Sequence, residues 1–464
     1  MNLVNKHFIT FLCLMWIGIL VNANSHFNHI RGFFNAEITL FSFINLIRAS
    51  SIVITIFLII ILNLKKIKIK KVLIFTIFYF YIFIQLVSFL LLRNINQEYD
   101  QFYFLLNQFL IIFFFHIIIS LKKISDDELF LINKFFFYIL ITFIFTVIVL
   151  LGKNLYFEYL SDVNKSFYYG YFVSPGSIYL DQQVPRITGI ARLILVLIVF
   201  SSTTLLYSKF KISSFVILSF LTSMLLLSES RFSIYCFFIL SFFLLIIDKK
   251  YSLSKKIFSF LLIIFISNFI NFSMIYLKNN FNNILNVSQD VSQDVSQDVS
   301  QDVSQNKKKE WLDQRKKKNA FEYESRIIQD FTTSGRLEDW LSIIQYIKQK
   351  PIIGYGFQAD RYLMNKPVSN SYLYSLMSGG IIGLLLFTLI VSLSLITCFR
   401  VIFLNQIFNK ESNIIVKSSI LINIMVIIRT IIENSFSVYN FDLILFLLTF
   451  LIINLYEKNP QKYH

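Results

Sequence analysis

The sequence predicts an all-α fold: a polytopic integral membrane helical bundle of about twelve transmembrane helices with one large periplasmic loop. Of the 464 residues, 56% are hydrophobic and 15% are charged, whereas soluble proteins carry about 25% charged residues. The 54 Phe against 12 Gly and 5 Pro favour long apolar helices. The apolar runs lack the alternation of barrel strands, so each run must satisfy its backbone as a helix.

The same composition excludes several classes of protein. A soluble enzyme would need more surface charge, and the net charge of +16 is better interpreted against a membrane than against nucleic acid. Cys13, Cys236 and Cys398 lie inside apolar runs, where they act as small hydrophobic residues. Neither a CxxC motif nor a His/Cys cluster occurs in the sequence. We therefore expect no metal site and no cofactor.

Apolar runs of about the length that crosses a bilayer give twelve candidate spans. In chain order they are about 8–22, 45–64, 72–92, 102–121, 135–152, 188–207, 213–228, 232–247, 257–277, 372–399, 418–433 and 441–456. The first run also resembles a signal peptide, because Lys6 and His7 precede it. We favour its retention, because retention keeps the loop charges in alternating order.

Lysine-rich short loops set the predicted orientation, because such loops stay in the cytoplasm. They are KKIKIKK (65–71), KKISDDE (122–128), KFK (209–211) and DKKYSLSKK (248–256). Both termini are then cytoplasmic in a bacterial inner membrane. The chain divides into nine spans with short loops (1–277), a periplasmic loop (278–371), and three spans with a cytoplasmic tail (372–464).

Arginines stand at several predicted outer ends of spans. Arg186 and Arg192 follow a Pro- and Gly-containing loop where the sixth span begins, and Arg231 lies in a very short turn between two spans. An ionisable group near or within the membrane face needs an anionic partner or an aqueous cavity. An arginine at this level also serves as an anchor to the lipid headgroups. Arg429 and Glu433 are one helical turn apart and can pair with each other.

The large loop has three parts. Residues 287–305 repeat the tetrapeptide VSQD, with too little apolar surface to build a core, and a basic run (307–318) follows. Apolar residues then recur at helical spacing over 336–350, and Pro351 ends this amphipathic helix. GYGF (354–357) supplies a tight turn before the tenth span.

Five segments resemble the O-antigen ligase and O-antigen polymerase (Wzy-type) family of membrane proteins, and they run in family order. They are RITG (186–189), SESRF (228–232), GRLEDWLSIIQYIKQKPIIGYGF (335–357), SNSYLYSLMSGGIIG (369–383) and RTIIENSF (429–436). Together they span the chain from residue 186 onward.

One position departs from the ligase pattern. The family's ligases carry a His followed by Asn, Ser or Gln, nine residues and Gly-x-x-Gly. Asn370 and Gly380-Ile-Ile-Gly383 keep this spacing, but Ser369 stands at the position of the His. The substitution favours the polymerase branch, because a serine without a nearby base does not replace a general base.

The resemblance implies a glycosyltransferase that joins undecaprenyl-pyrophosphate-linked oligosaccharide units. It implies Arg186, Arg231 and Arg336 as pyrophosphate ligands, since arginine grips phosphate oxygens bidentately. Further candidates for substrate contacts are Arg192, Arg361, Ser369, Asn370, Arg429 and Glu433. Asp360 is the first choice for a general base. A chain-length regulator and a flippase are the expected protein partners, and membrane lipids surround the bundle.

Three alternatives stay open. Within the family, the chain could be an O-antigen ligase that transfers glycan to lipid A core. A metal-dependent lipid-phosphate-sugar glycosyltransferase would need paired carboxylates in the first outer loop, which has only Glu37 (23–44). A lipid-linked oligosaccharide flippase would favour inverted repeats and mid-membrane cations over a large polar loop.

Overall fold

The computed structural model describes eleven separate stretches of the chain. They are residues 72–91, 98–120, 187–207, 211–227, 231–247, 251–293, 336–364, 368, 370–404, 414–438 and 440–458. The predicted spans at 8–22, 45–64 and 135–152 lie outside these residues. The chain forms two compact units, the first built from Met1–Phe272 and Lys350–His464 and the second from Ser273–Gln349.

The described residues form helices and no strand. The helices are α1 (Leu73–Leu91), α2 (Glu98–Ser120), α3 (Ile187–Tyr207), α4 (Lys211–Leu227), α5 (Arg231–Ile247), α6 (Leu253–Gln293), α7 (Arg336–Gln349), α8 (Ala359–Met364), α9 (Ser371–Phe399), a π-helix (Arg400–Leu404), α10 (Ile414–Arg429) and α11 (Phe441–Lys458). The predicted all-helical fold class is thus confirmed for this part of the chain.

Three of these helices are long and apolar enough to cross a membrane. They are α1, the Leu253–Ser273 part of α6, and Ser371–Phe403. Shorter apolar helices cover Leu105–Ile117, Ala191–Tyr207, Lys211–Leu226 and Phe232–Ile247. Large apolar side chains such as Phe242, Phe265 and Phe272 are more than 60% exposed, as suits a surface that hydrocarbon covers. The chain is therefore a membrane protein.

The centre of the first unit is the pair α10 and α11, which contact each other, with α3 packed against α10 and α1 packed against α9. Nearly every residue of α11 from Asp442 to Ile453 is buried. Aromatic rings fill the space between elements: the Phe436 and Phe446 rings stack with centroids 4.0 Å apart. The most buried helices therefore lie where the site described below is built.

Helix α6 extends to Gln293, well past residue 277, where the predicted ninth span ends. It includes Val287–Gln293, the first residues of the tetrapeptide repeat. A four-residue repeat places each Val one helical turn from the next, on the same face, which is compatible with a helix. In the second unit, α7 has Ile343 and Ile347 buried and Leu341 exposed.

Helix α9 is broken at Gly380, where φ is 62° and ψ is −160°. The PIIGYGF turn lies against this break. The amides of Tyr355 and Gly356 donate to the carbonyls of Met377 and Ser378 at 2.8 and 2.9 Å, and the Ile381 amide donates to the Pro351 carbonyl at 2.8 Å. Backbone groups that the break removes from the helix are thereby paired inside the protein, as a membrane helix requires.

Glycine is required at this crossing because the two backbones touch. A Cβ on Gly380 would lie 2.1 Å from the Ile352 carbonyl oxygen, and a Cβ on Gly354 would lie 2.6 Å from the Gly380 nitrogen. A Cβ on Gly356 would meet the backbone of Phe89 in α1 at 2.7 Å. Residues 351–356 and 377–381 are therefore one structural unit, which we call the glycine crossing.

We expect Gly380→Ala to destabilise the protein strongly. A non-glycine residue at this φ costs about 1–3 kcal/mol, and the Ile352 carbonyl would also have to move. Gly379→Ala is the matched control, because its Cβ would meet only the Ile84 Cγ2 atom at 3.4 Å. Thermal unfolding of detergent-purified variants, followed by size-exclusion chromatography, measures the difference. Equal stability of the two variants would contradict a tight glycine crossing.

Candidate functional site

Two arginines and two carboxylates from three helices meet in the first unit. Arg192 lies in the second turn of α3, Arg429 ends α10, Glu433 follows in the turn after it, and Asp442 lies in the first turn of α11. Arg192 is 241 residues away from Glu433 in the sequence, so the fold brings it to the other three. We call these four residues the ion cluster.

Ion pairs connect all four residues of the ion cluster. Arg429 pairs with Glu433, and its Nε lies 3.3 Å from Asp442 Oδ2. Arg192 places Nη2 at 3.3 Å from Glu433 Oε2 and Nη1 at 3.5 Å from Asp442 Oδ1. Each arginine therefore contacts both carboxylates, and the four charges sum to zero.

Burial divides the ion cluster into an inner and an outer pair. The side chains of Arg429 and Asp442 are 0% exposed, whereas Arg192 is 18% and Glu433 is 13% exposed. A buried charge is tolerated only when it is paired and hydrogen-bonded. The inner pair thus serves the fold, and the outer pair is the part that stays partly exposed.

Neighbouring groups support the inner pair. Ser435 Oγ donates to Asp442 Oδ2 at 2.8 Å. The Arg429 guanidinium carbon lies 5.9 Å from the centroid of the Phe232 ring, within range of a cation–π contact. Phe232 is the second residue of α5, so this contact brings the start of α5 to the ion cluster.

The start of α9 is tied to the turn that carries Glu433. Asn370 caps α9, with its side-chain oxygen accepting from the Tyr372 and Leu373 amides, and its Nδ2 donates to the Ile431 carbonyl at 2.6 Å. Ser371 Oγ donates to the Glu433 carbonyl at 3.0 Å and accepts from the Ser435 amide at 2.8 Å. The motif that begins at 369 therefore lies beside the ion cluster.

Asp360 has a structural contact. It lies in α8, is 2% exposed, and its Oδ2 accepts from the Val368 amide at 2.8 Å. This bond links α8 to the residues just before the Asn370 cap. Asp360 therefore ties α8 to Val368.

The remaining candidates are placed only through their backbone or not at all. Arg231 is the first residue of α5, adjacent to Phe232; Arg336 begins α7 in the second unit; and Arg361 lies in α8. Their side chains lie outside the described part of the structure. Arg186 directly precedes α3, and both it and Ser369 lie outside the described residues.

Sequence reasoning missed Asp442, Ser435 and Ser371. Asp442 carried a usable signal, since it is a single carboxylate at the entrance to an otherwise apolar run, and such a group needs a partner. The two serines carried no such signal, because serine is common in these helices. Their role follows only from the fold.

The ion cluster leaves two oppositely charged side chains, Arg192 and Glu433, partly exposed. Groups of three or more His, Cys, Asp or Glu that could hold a metal ion are not found among the described residues. An anionic ligand could contact the guanidinium of Arg192, and a hydroxyl could donate to Glu433. The ion cluster is therefore a charge-balanced polar group within an otherwise apolar bundle.

Comparison with known families supports the motif-based resemblance. A family model described as O-antigen ligase matches residues 214–388, from α4 to the second half of α9. Among curated proteins no match is found. The resemblance to the O-antigen ligase and polymerase family is thus confirmed, and the matched segment contains Arg231, the glycine crossing and the Asn370 cap.

We expect Arg429→Met to destabilise the fold by about 3–5 kcal/mol, because it leaves buried Asp442 without one of its cations. The double variant Arg429→Met/Asp442→Asn restores the charge balance and should recover part of the loss. Arg400→Met is the control: Arg400 is 52% exposed and pairs with Glu457, so the effect should stay within about 1 kcal/mol. Thermal unfolding in detergent measures all three, and a wild-type midpoint for Arg429→Met would contradict the assignment.

Proposed function

We propose that the protein is a polysaccharide polymerase that joins undecaprenyl-pyrophosphate-linked oligosaccharide repeat units at the periplasmic face of the inner membrane. A hydroxyl oxygen of the acceptor unit forms a bond to the anomeric carbon of the donor glycan. The bond from that carbon to the pyrophosphate oxygen breaks, the hydroxyl proton passes to a base, and the lipid pyrophosphate leaves. Fixed cations help most where this negative charge develops.

The observation that carries the proposal is the ion cluster, which lies where the ends of several helices meet. The starts of α5, α9 and α11 and the end of α10 converge there. The lysine-rich loops 209–211 and 248–256 border the other ends of α4, α5 and α6. With lysine-rich loops in the cytoplasm, the ion cluster faces the periplasm in a bundle of about twelve spans.

Binding a pyrophosphate needs positive charge beyond that of the ion cluster. Arg192 and Arg429 are already balanced by Glu433 and Asp442, so they add little net positive charge. Arg231 begins α5 next to the ring that contacts Arg429, and Arg186 lies six residues before Arg192. Arg336 is assigned on its family motif alone. We assign the pyrophosphate to Arg186, Arg231 and Arg336, with Arg361 as a further contact.

Two carboxylates are candidates for accepting the hydroxyl proton. Asp360 is 2% exposed and accepts from a backbone amide, whereas Glu433 is 13% exposed and lies next to the Asn370 cap. A general base must reach the acceptor hydroxyl. The greater exposure favours Glu433, and Asp360 holds the Val368 amide. This mechanism uses neither a metal nor a cofactor.

Ligase activity is the closest alternative, and the description of the matching family model favours it. In that reaction the acceptor would be lipid A core in place of a second repeat unit. Ser369 stands where the family's ligases carry His, and this difference favours the polymerase. A flippase is the third candidate; it would use the same lipid-linked substrate without bond formation. For the polymerase, a chain-length regulator and a flippase are the partners that we propose.

We expect Arg231→Ala and Arg336→Ala each to abolish high-molecular-weight glycan while the protein stays in the membrane. Each change removes a cation from the developing pyrophosphate, where one donor contributes about 10²–10³ in rate. Arg400→Ala, at an exposed ion pair, is the matched control and should leave the glycan unchanged. Glycan gels and immunoblots of membranes provide the two readouts. A normal glycan ladder in both arginine variants would refute the assignment.

A strain that lacks the protein should carry a single repeat unit on lipid A core, because a ligase elsewhere in the cell would still transfer unpolymerised units. Glycan gels distinguish the alternatives. Bare core together with lipid-linked polymer would identify a ligase. If neither phenotype appears and lipid-linked repeat units accumulate on the cytoplasmic side, the protein is a transporter.

A further inference from the structure

A second polar site lies at the far end of the bundle from the ion cluster. Helix α5 begins beside the ion cluster at Phe232 and ends at Ile247, and a helix of this length spans about 25 Å. Near its end, Leu244 and Leu245 line a cavity of about 620 Å³ that α3, α4, α5 and α6 enclose. The volume is within the range of ligand pockets, about 300–1,000 Å³.

The cavity has a cationic rim. Lys211, at the start of α4, and Lys255 and Lys256, in the first turn of α6, line it together with Tyr251. Of the lining residues that the structure describes, none is acidic. The start of α6, which carries the positive end of its helix dipole, lies at the same rim. The rim therefore concentrates positive charge at one mouth of the cavity.

The three lysines differ in how they are held. Lys256 is 8% exposed and its Nζ donates to the Leu245 carbonyl at 2.6 Å. The Lys211 Nζ lies 5.4 Å from the centroid of the Tyr251 ring, and Lys211 and Lys255 are both exposed. One ammonium is thus fixed against the wall, and two reach outward to where a headgroup would lie.

The walls of the cavity are apolar. Phe215, Leu218, Phe237 and Phe258 line it, and Phe258 is 68% exposed, on a helix whose outer face is suited to hydrocarbon. Apolar walls add nothing to the binding of a small soluble anion. A ligand that satisfies both the lysines and the walls carries a phosphate at one end and an acyl chain at the other.

We propose that this cavity binds an anionic phospholipid of the lysine-rich leaflet, with its phosphate at Lys211, Lys255 and Lys256 and an acyl chain along Phe215, Leu218 and Phe237. Basic pockets between membrane helices on the cytoplasmic side bind such headgroups. The site is separate from the ion cluster and does not depend on which glycan the protein handles. A bound lipid would fill the space between α4, α5 and α6 and fix their relative positions.

The test is native mass spectrometry of the purified full-length protein with dioleoylphosphatidylglycerol or dioleoylphosphatidylcholine. The wild type should retain the anionic lipid in preference to the zwitterionic one. Lys211→Gln/Lys255→Gln should weaken the anionic lipid about thirtyfold, at about 1 kcal/mol for each lysine. Arg400→Gln/Lys348→Gln removes the same charge outside the cavity and should bind as the wild type does. Equal binding by both double variants would overturn the proposal.

A second variant separates a lipid from a free phosphate. Ser241 also lines the cavity, and Ser241→Trp fills the apolar part while every lysine stays. Loss of the anionic lipid in this variant, with a wild-type thermal midpoint, supports an acyl chain in the cavity. Retained lipid, or full competition by millimolar inorganic phosphate in the wild type, would show that the lysines hold a phosphate group alone and would overturn the lipid assignment.

Discussion

The pairing of the Arg429 charge with Glu433 and Asp442 is the interaction on which the centre of the protein depends. An unpaired guanidinium inside an apolar bundle costs several kcal/mol, so α10 cannot be buried without its two carboxylates. Asp442 comes from α11, and Glu433 comes from the turn between α10 and α11. Arg192 of α3 also contacts both carboxylates. The need to pair the buried charge of Arg429 therefore fixes one end each of α3, α10 and α11 relative to the others.

The glycine crossing meets a second requirement of the same kind. Its hydrogen bonds pair the backbone that the break at Gly380 leaves outside the helix, and they hold residues 351–356 against α9. The first half of α9 then begins at Asn370, whose amide contacts the Ile431 carbonyl. The break and the ion cluster therefore act on opposite ends of one short helical segment, Ser371–Gly379, and together they fix its position.

Hydropathy and local spacing predict the parts of this structure that are local in sequence. The apolar runs predict the helices, the four-residue spacing predicts the pair Arg429–Glu433, and the glycines of GYGF predict a turn. The contacts that build the site are not local. Arg192 and Glu433 are 241 residues apart, and nothing in either neighbourhood indicates the other. The same is true of the contact between Gly380 and Ile352, which depends on how two backbones cross.

Because the ion cluster is charge-balanced, stabilising the helices and binding an anionic substrate fall to different arginines. The sequence alone does not distinguish these two groups of arginines. A group of two cations and two anions stabilises helices but attracts a pyrophosphate weakly, because each approaching phosphate oxygen also meets a carboxylate. The proposed binding of a diphosphate then requires further cations from other segments of the chain. The segments that we propose for this role precede α3 and α5 in the sequence, and Arg192 of α3 and Phe232 of α5 both lie at the ion cluster. Under the proposed function, the ion cluster holds the helices in place, and arginines outside it would supply the net charge that stabilises the leaving group.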